Sequence, residues 1–541
     1  SNPEFPLGAS APTVVLSYGT FQGFTQGNVT KYLGVVPFAI ASRFEALKAP
    51  EPLQGIQNAT AFGPACPQQS LTPLPGLPIS ATIYPSVSEQ SLNCRSHLFT
   101  PSETQNLSTL PVFVWMYGGG FQDGNSRDND ASPIVGRSIE TGEPIIAVAI
   151  NYRLSAFGFL PGKEVGAAGI SNLGLRDQIF ALKWVRKYIS VFGGDPQRVV
   201  IGGLSAGSIS AATLLLSNKQ NSNALFRGAF LESGAQMRTL TLQDGQPVYD
   251  GLVAANNCTS ANDTLDCLRR VPFDSFMATV NNTQNFFSYP SIDLIWRPYI
   301  DGDVVGRAPL TSVSQGLFAK IPIMTGNSDD EGTYVYSKWF RPTFHFTYFP
   351  VPTLFSFSTL NITCVFLRSI GLLYPEDPTQ GSPFNTRTAN QLSPQYKRLA
   401  AFQGDHMFIG HRRLLLEHAS RRQNTWSWLN KLGKNASVLG ASHGGDVGVW
   451  FTTNTTSVGT LGVDALVNFI NTLDPNLPAK NATEDAKLPV LWPQWNTPSG
   501  NGSSSLLTFT DDNGTIITAE NFRIQPIGFL NNLLLKEASS E

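Results

Sequence analysis

Residues 198–208 read Arg-Val-Val-Ile-Gly-Gly-Leu-Ser-Ala-Gly-Ser, and residues 203–207 form a Gly-x-Ser-x-Gly pentapeptide. The β-branched run before it predicts a buried strand, and the small and apolar residues 206–216 after it predict a helix. A serine on the sharp turn between such elements is strained so that its hydroxyl is exposed, and a Cβ on either flanking glycine would collide across the turn. We therefore predict that Ser205 is a nucleophile.

Strands and helices alternate along the rest of the chain. Continuous apolar runs at 110–117 and 145–150 are typical of strands buried on both faces. Helical patterns cover 175–191 and 396–422, further strands are expected at 227–231 and 321–325, and hairpins at 14–25 and 506–519. Asn513-Gly514 in the second hairpin is typical of a two-residue type I′ turn. The pattern predicts an α/β fold: a mostly parallel central sheet with helices on both faces, an N-terminal β-hairpin and inserted helical and loop segments.

Composition limits the classes of partner. The 541 residues carry a net charge of −2 and are only 14% charged, which gives no electrostatic case for binding nucleic acid or an anionic membrane. No apolar stretch reaches the roughly 18 residues of a membrane span. Since no linker, repeat or charge run divides the sequence, we expect residues 1–541 to form one domain. No signal peptide opens it, so we expect a protein that is intracellular or already processed, of unpredicted oligomeric state.

Glycosylation sequons and cysteines favour a secreted eukaryotic protein. Cys258 and Cys267 are close enough in sequence to close a small loop and Cys66 and Cys94 a larger one, which leaves Cys364, although five cysteines allow other pairings. Their spacing fits no zinc site. The Asn-x-Ser/Thr sequons are at Asn28, Asn58, Asn106, Asn257, Asn262, Asn281, Asn361, Asn435, Asn454, Asn481, Asn501 and Asn513.

A serine nucleophile needs a base within hydrogen-bond reach and an acid that orients the base. His443 lies late in the chain in the glycine-rich turn 442–446, which gives the order serine, acid, histidine of an α/β-hydrolase. Packing or solvent exposure is the better explanation for the other histidines, which are His97, His345, His406, His411 and His418. The acid should follow the strand at 321–325, where Asp329, Asp330 and Glu331 are all available and spacing does not choose among them.

Residues 115–121, Trp-Met-Tyr-Gly-Gly-Gly-Phe, end a buried strand in three consecutive glycines. Such a loop brings main-chain N–H groups close to a substrate carbonyl, where they stabilise a developing oxyanion. Loss of one such donor typically costs about 3–4 kcal/mol of transition-state stabilisation. A flexible loop without this role is the alternative interpretation.

With these residues in place, the chain resembles the type-B carboxylesterase/lipase family, which includes cholinesterases and fungal lipases. The resemblance covers nearly the whole length, and further family-like blocks are residues 151–153, 172–178, 192–196 and 298–302. It implies that Glu331 is the acid of the triad and that the oxyanion hole is formed by Gly119, Gly120 and Ala206. It also implies disulfides Cys66–Cys94 and Cys258–Cys267, and no metal or cofactor.

Two positions depart from the family pattern. Leu204 stands where the family usually has a glutamate before the nucleophile, so a negative charge is missing from the site. The residue before Cys94 is Asn93 instead of the usual acidic residue, which puts local ion pairing in doubt. The Cys66–Cys94 loop also contains no tryptophan to hold a quaternary ammonium group, so choline esters are not expected as preferred substrates.

In fungal lipases the loop between these cysteines acts as a lid. Here residues 66–94 are apolar and proline-rich, so we expect a lid over an apolar site, with a structural surface loop as the alternative. Aromatic residues crowd 339–357, where they line an acyl pocket or pack in the core. We expect a secreted fungal-type carboxylesterase acting on small-molecule or lipid esters that are uncharged and largely apolar. The alternatives are an interfacially activated triacylglycerol lipase or sterol esterase and, less favoured, an inactive cholinesterase-like binding or adhesion module.

Overall fold

The computed structural model describes residues 11–37, 42–71, 95–102, 109–216, 224–287, 294–333, 368–453, 458–496 and 503–538. The strands in these ranges form two sheets, with orders β1-β2-β5 and β14-β13-β12-β11-β10-β9-β7-β8-β6-β4-β3. They are β1 Thr13–Leu16, β2 Gly19–Gln22, β3 Phe24–Gln26, β4 Val29–Pro37, β5 Ile56–Asn58, β6 Arg95–Pro101, β7 Leu110–Met116, β8 Ile146–Ile150, β9 Gly194–Leu204, β10 Gly228–Glu232, β11 Ile323–Ser328, β12 Thr425–Asn430, β13 Ser505–Thr510 and β14 Gly514–Ala519.

Helices connect and cover these strands. They include α1 Ser132–Glu140, α2 Ser155–Phe159, α3 Lys163–Ala167, α4 Leu173–Tyr188, α5 Ala206–Leu216, α6 Gln246–Ala255, α7 Thr264–Arg270, α8 Phe273–Asn281, α9 Pro309–Ser314, α10 Tyr396–Gly404, α11 Gly410–Ala419, α12 Val447–Phe451, α13 Leu461–Thr472 and α14 Ile524–Ala538. Within the described ranges, no helix combines the length and apolar character that crossing a bilayer requires.

The large sheet is parallel in its centre and buried on both faces. Strands β8, β7, β9, β10, β11, β12 and β13 pair in parallel, while the outer pairings are antiparallel. Along β7, Val112, Val114 and Met116 join one hydrophobic core, and Phe113 and Trp115 join the core on the opposite face. This alternation follows from the pleat and explains why the strand reads as a continuous apolar run. The predicted α/β fold with a mostly parallel sheet is confirmed.

Two local predictions were wrong in detail. The second hairpin has a three-residue loop, because Gly514 pairs with Thr510 as the first residue of β14 instead of occupying a two-residue turn. Gly514 has φ +63°, the left-handed conformation that such longer loops use at their end. The predicted helix 396–422 ends at Ala419 and contains a π turn at Asp405–Ile409 between α10 and α11. π turns are rare and are frequently found at functional sites.

The cysteine and loop predictions fall only partly within the described residues. Cys258 and Cys267 form a disulfide with Cα atoms 5.7 Å apart. Cys66 is buried, whereas Cys94, Cys364, the aromatic run at 339–357 and most of the predicted lid 66–94 lie outside the described residues.

Substitution of Gly326 tests the packing of the central sheet. A Cβ at this position of β11 would overlap the indole ring of Trp428 on β12. We expect Gly326→Ala to lower the free energy of unfolding by about 1–3 kcal/mol through overpacking, measured by thermal unfolding. Gly251 in α6 is the matched control, because a Cβ there meets nothing within 4 Å, and Gly251→Ala should stabilise by about 0.5–1 kcal/mol. Equal effects of the two substitutions would contradict this packing.

Candidate active site

Four parallel strands bring the predicted site residues to one edge of the sheet. The chain leaves β7 into the glycine loop 118–120, β9 into Ser205, β10 into Ser233, and β11 into the acidic segment 329–331. Carboxyl ends of parallel strands lie at the same edge, which is where α/β proteins form their sites. The fold therefore gathers the groups that we identified from widely separated parts of the sequence.

Ser205 lies on a strained turn between β9 and α5. Its φ is +55°, a conformation that non-glycine residues rarely adopt. A Cβ on Gly207 would overlap the carbonyl of Met116 in β7, and one on Gly203 would overlap the backbone of Gly207. Both glycines are therefore required by close backbone approach, which agrees with the interpretation of the pentapeptide.

The glycine loop rests directly on this turn. A Cβ built on Gly118 would lie 3.0 Å from both the Leu204 carbonyl oxygen and the Ser205 Cβ. Gly119 and Gly120 follow with φ of +109° and +61°, so both positions favour glycine. Ala206 is buried and begins α5. The three residues predicted to donate to an oxyanion thus belong to two adjoining backbone segments beside Ser205.

Glu331 and His443 contact each other although they are far apart in sequence. The Glu331 Oε2 lies 2.5 Å from Nδ1 of His443, and the carboxyl group is fully buried. The other oxygen, Oε1, accepts hydrogen bonds from the Ser233 hydroxyl at 2.7 Å, the Asn327 amide at 2.9 Å and the Ser328 backbone N–H at 2.9 Å. These donors fix the carboxylate so that its free oxygen faces the imidazole.

The two neighbouring aspartates are occupied elsewhere. Asp330 accepts hydrogen bonds from Lys434, Ser382 and the backbone of Phe384 and Ala441, and Asp329 contacts the same lysine at 2.6 Å. Of the three carboxylates, Glu331 is the one that contacts His443. Of the other histidines, His97, His406 and His411 are buried, and His345 lies outside the described residues.

The turn that carries His443 lies against the elbow. A Cβ on Gly444 would be 3.7 Å from a methyl carbon of Leu204, the residue before Ser205. The ring of Phe408, from the π turn, packs on the imidazole with centroids 4.4 Å apart. The imidazole is held between the carboxyl group of Glu331 and an aromatic face, next to the residues that flank Ser205.

Sequence reasoning missed several side chains of this site. Ser233 has φ +49°. It follows the strand that we predicted at 227–231, so a search for polar residues at the carboxyl ends of strands could have identified it. Phe286 covers the glycine loop, because a Cβ on Gly120 would lie 2.8 Å from its ring. Nothing in the local sequence marks Phe286 or Phe408, since their roles depend on contacts across the fold.

Asp123 is a further carboxyl group beside the glycine loop. A Cβ built on Gly119 would lie 2.5 Å from the Oδ1 atom of Asp123. Burial, together with the nearby Asp128 carboxyl, raises the pKa of Asp123 to about 7. This group therefore changes charge near neutral pH within a few ångströms of the loop that we expect to bind an oxyanion.

Comparison with known proteins agrees with this architecture. A sequence profile described as the Carboxylesterase family matches residues 10–524. Among curated relatives, "Secreted lipase 1" of Botryotinia fuckeliana is 36% identical over 547 residues, covering 95% of this chain and 92% of the relative. "Secreted triacylglycerol lipase LIP1" of Gibberella zeae is 31% identical, covering 98% of this chain and 92% of the relative.

The solved structures add support for the fold. The crystal structure of Aspergillus niger EstA is similar with a TM-score of 0.78, covering 98% of this chain and 99% of that one, at 24% identity. At that identity the likeness concerns the fold alone, whereas the profile and the curated relatives extend to the family. The chain therefore belongs to the carboxylesterase family and is a carboxylic ester hydrolase with an α/β-hydrolase fold.

Proposed function

We propose that this protein hydrolyses uncharged, largely apolar carboxylic esters through a Ser205–His443–Glu331 triad and an acyl-enzyme intermediate. The observation that carries the proposal is the contact between Glu331 Oε2 and His443 Nδ1 beside the strained turn at Ser205. An imidazole that donates its Nδ1 proton to a fixed carboxylate presents Nε2 as a base. A serine on such an elbow is the group that this base activates.

In the acylation step, His443 Nε2 takes the hydroxyl proton while Ser205 Oγ forms a bond to the ester carbonyl carbon. The carbonyl π electrons move to oxygen, and the backbone N–H groups of Gly119, Gly120 and Ala206 stabilise that oxyanion. Collapse of the intermediate breaks the bond to the alkoxy oxygen, which takes the proton from His443 and leaves as the alcohol. Glu331 stays ionised and stabilises the imidazolium in between.

Deacylation repeats these steps with water as nucleophile. His443 takes one proton from water, the hydroxyl oxygen bonds to the acyl carbon, and the oxyanion is again held by the same amides. When the bond to Ser205 Oγ breaks, the serine recovers its proton from His443 and the carboxylic acid is released. Each turnover thus consumes one ester and one water and restores every group of the enzyme.

Apolar side chains around the described part of the site support apolar substrates. Leu204 stands beside Ser205, Phe286 covers Gly120, and Phe408 packs on His443. A triacylglycerol lipase or sterol esterase acting at interfaces is the second candidate, favoured by the names of the two curated relatives given above. Both candidates use the same triad, and they differ in whether an oil–water interface is required.

Sequon exposure supports our proposal that the protein is secreted. Among the described sequons, the asparagine is exposed at positions 28, 58, 257, 262, 435, 481 and 513. Asn281 differs because it is only partly exposed; its side-chain oxygen accepts a hydrogen bond from the Ser70 backbone N–H at 2.8 Å. Exposed asparagines in several separate loops are what a glycosylated extracellular enzyme requires.

Substitution of the nucleophile tests the proposed function directly. We expect Ser205→Ala to lower kcat on nitrophenyl esters by about 10⁴-fold or more, because the substitution removes the oxygen that attacks the ester. Ser210→Ala is the matched control: Ser210 lies in α5, the helix that follows Ser205, and its hydroxyl accepts a hydrogen bond from Gln178, so kcat should remain near that of the wild type. Initial rates across acyl chain lengths, with and without an emulsion, distinguish an esterase from an interfacial lipase.

Residual activity of Ser205→Ala equal to the wild-type activity would disprove the assignment of the nucleophile. A wild-type protein that hydrolyses none of the esters and is not labelled at Ser205 by a fluorophosphonate would instead favour the inactive binding module.

The raised pKa of Asp123 predicts that kcat depends on pH. Below about pH 7 its carboxyl group is neutral, and above it the ionised group opposes the oxyanion forming at Gly119 and Gly120. We therefore expect kcat of the wild type to fall relative to that of Asp123→Asn as pH rises through about 7, with Asp123→Asn about tenfold more active at alkaline pH. Asp128→Asn should move the fall to lower pH, because Asp128 contributes to the raised pKa. An Asp123→Asn profile identical to the wild type would refute this role.

Glycosylation can be checked site by site. In protein produced by a eukaryotic host, we expect glycans on most of the exposed asparagines and an unmodified Asn281, which is only partly exposed. Peptide mass mapping before and after enzymatic deglycosylation measures the occupancy. Absence of glycans from all the exposed positions would argue against passage through the secretory pathway.

A further inference from the structure

Glu232 is a buried carboxyl group that the proposed triad does not use. It is the last residue of β10, and its register partner on β9 is Leu204, directly before Ser205. Its backbone carbonyl accepts the Ser205 N–H at 2.9 Å. The next residue, Ser233, donates to Glu331 at 2.7 Å. Glu232 is thus joined through its backbone to both the nucleophile and the acid.

The surroundings of the Glu232 side chain are unusual for a carboxylate. The residue is fully buried, and neither carboxyl oxygen accepts a hydrogen bond from a donor among the described residues. The side chain that interacts with it is instead the carboxyl group of Asp446, which raises the pKa of Glu232. Ionised carboxylates are acceptors only, so this pair can form a hydrogen bond only when one of the two carries a proton.

The remaining contacts identify which of the two holds the proton. Asp446 accepts hydrogen bonds from the Trp428 indole N–H at 2.7 Å and from the Ser328 hydroxyl at 3.4 Å. Donors of this kind stabilise an ionised carboxylate, and among the described residues none donates to Glu232. Burial raises the pKa of both carboxyl groups; the Trp428 N–H opposes the rise at Asp446, whereas the Asp446 and Glu331 carboxyl groups add to it at Glu232. These contacts favour the proton on Glu232.

A bound cation would be the other way to neutralise adjacent carboxyl groups. Among the residues that the structure describes, no group of three or more His, Cys, Asp or Glu side chains is arranged to hold a metal ion. The titratable groups that bear on Glu232 are Asp446 and Glu331, and His443 lies beyond Glu331. A single proton shared by the pair is sufficient to account for these surroundings.

We propose that Glu232 is a positioning residue: a neutral carboxylic acid that donates a hydrogen bond to the Asp446 carboxylate and so fixes the turn that carries His443. Asp446 follows His443 by three residues and lies at the start of α12. The bond ties this turn to β10, whose end supports Ser205 and Glu331. The proposal rests on the proposed function, because positioning matters only if His443 acts as the base.

Two substitutions distinguish a side chain that donates a hydrogen bond to Asp446 from one that only fills the same space. Glu232→Gln keeps the size and can donate an N–H to Asp446, so we expect kcat to stay within about threefold of the wild type. Glu232→Leu has a similar volume and no donor, and it should lower kcat about tenfold with little change in KM. Glu143→Gln, a buried glutamate remote from the site whose carboxyl group accepts the Ala479 N–H, is the control and should keep wild-type kcat.

Thermal unfolding tests the protonation state without any activity. An unfolded glutamate loses its proton near pH 4.3 whereas folded Glu232 retains it, so unfolding of the wild type releases a proton above that pH. Stability of the wild type therefore falls relative to Glu232→Gln as pH rises, with the ratio of unfolding constants changing by up to about tenfold per pH unit. We expect the gap in Tm between Glu232→Gln and the wild type to widen between about pH 5 and pH 8.

If the difference in Tm between Glu232→Gln and the wild type is the same at about pH 5 and pH 8, the assignment of the proton to Glu232 is overturned. Glu232→Gln losing as much kcat as Glu232→Leu, or Glu232→Leu keeping wild-type kcat, would overturn the positioning role. If the wild type hydrolyses no ester, the proposed function fails, while the Tm comparison still reports on the proton. A Glu232→Leu protein that does not fold leaves the test to Glu232→Gln, whose expected kcat and Tm behaviour are each falsifiable.

Discussion

The close approach of Gly207 to the Met116 carbonyl is the constraint on which the site depends. Helix α5 begins directly against β7 at Gly207, where a Cβ would overlap the Met116 carbonyl, and Ser205 on the preceding turn has φ +55°. The same strand β7 then continues into the glycine loop, which rests on the Ser205 Cβ. One backbone contact thus sets the spacing between the proposed nucleophile and the amides proposed to stabilise its oxyanion.

Carboxyl groups are concentrated at this edge of the sheet, and they have different partners. Lys434 pairs with Asp329 and Asp330, and the imidazole of His443 contacts Glu331. Among the described residues Glu232 has neither kind of partner, and we infer that it keeps its proton. Ionised buried carboxylates repel one another strongly at short range, so a proton on Glu232 lowers the negative charge near Glu331. Leu204 keeps one more carboxylate out of the same cluster.

Local sequence was sufficient for the elements that local physics determines. The elbow, strand β7 and helix α5 follow from glycine spacing and apolar runs, and their positions agree with the structure. The choice among Asp329, Asp330 and Glu331 could not follow from spacing, because it depends on Lys434 and His443, more than a hundred residues away in the chain. The π turn that brings Phe408 to His443 likewise has no periodic signal, since it interrupts a pattern that is otherwise helical.

A crystal structure of the protein after reaction with an uncharged alkyl phosphonate ester is the most direct test of the proposed chemistry. We predict a covalent bond between phosphorus and Ser205 Oγ, with the phosphoryl oxygen accepting hydrogen bonds from the backbone N–H groups of Gly119, Gly120 and Ala206. The imidazole of His443 should contact Ser205 Oγ while remaining bound to Glu331. An adduct on another residue, or a phosphoryl oxygen directed away from these amides, would contradict the mechanism.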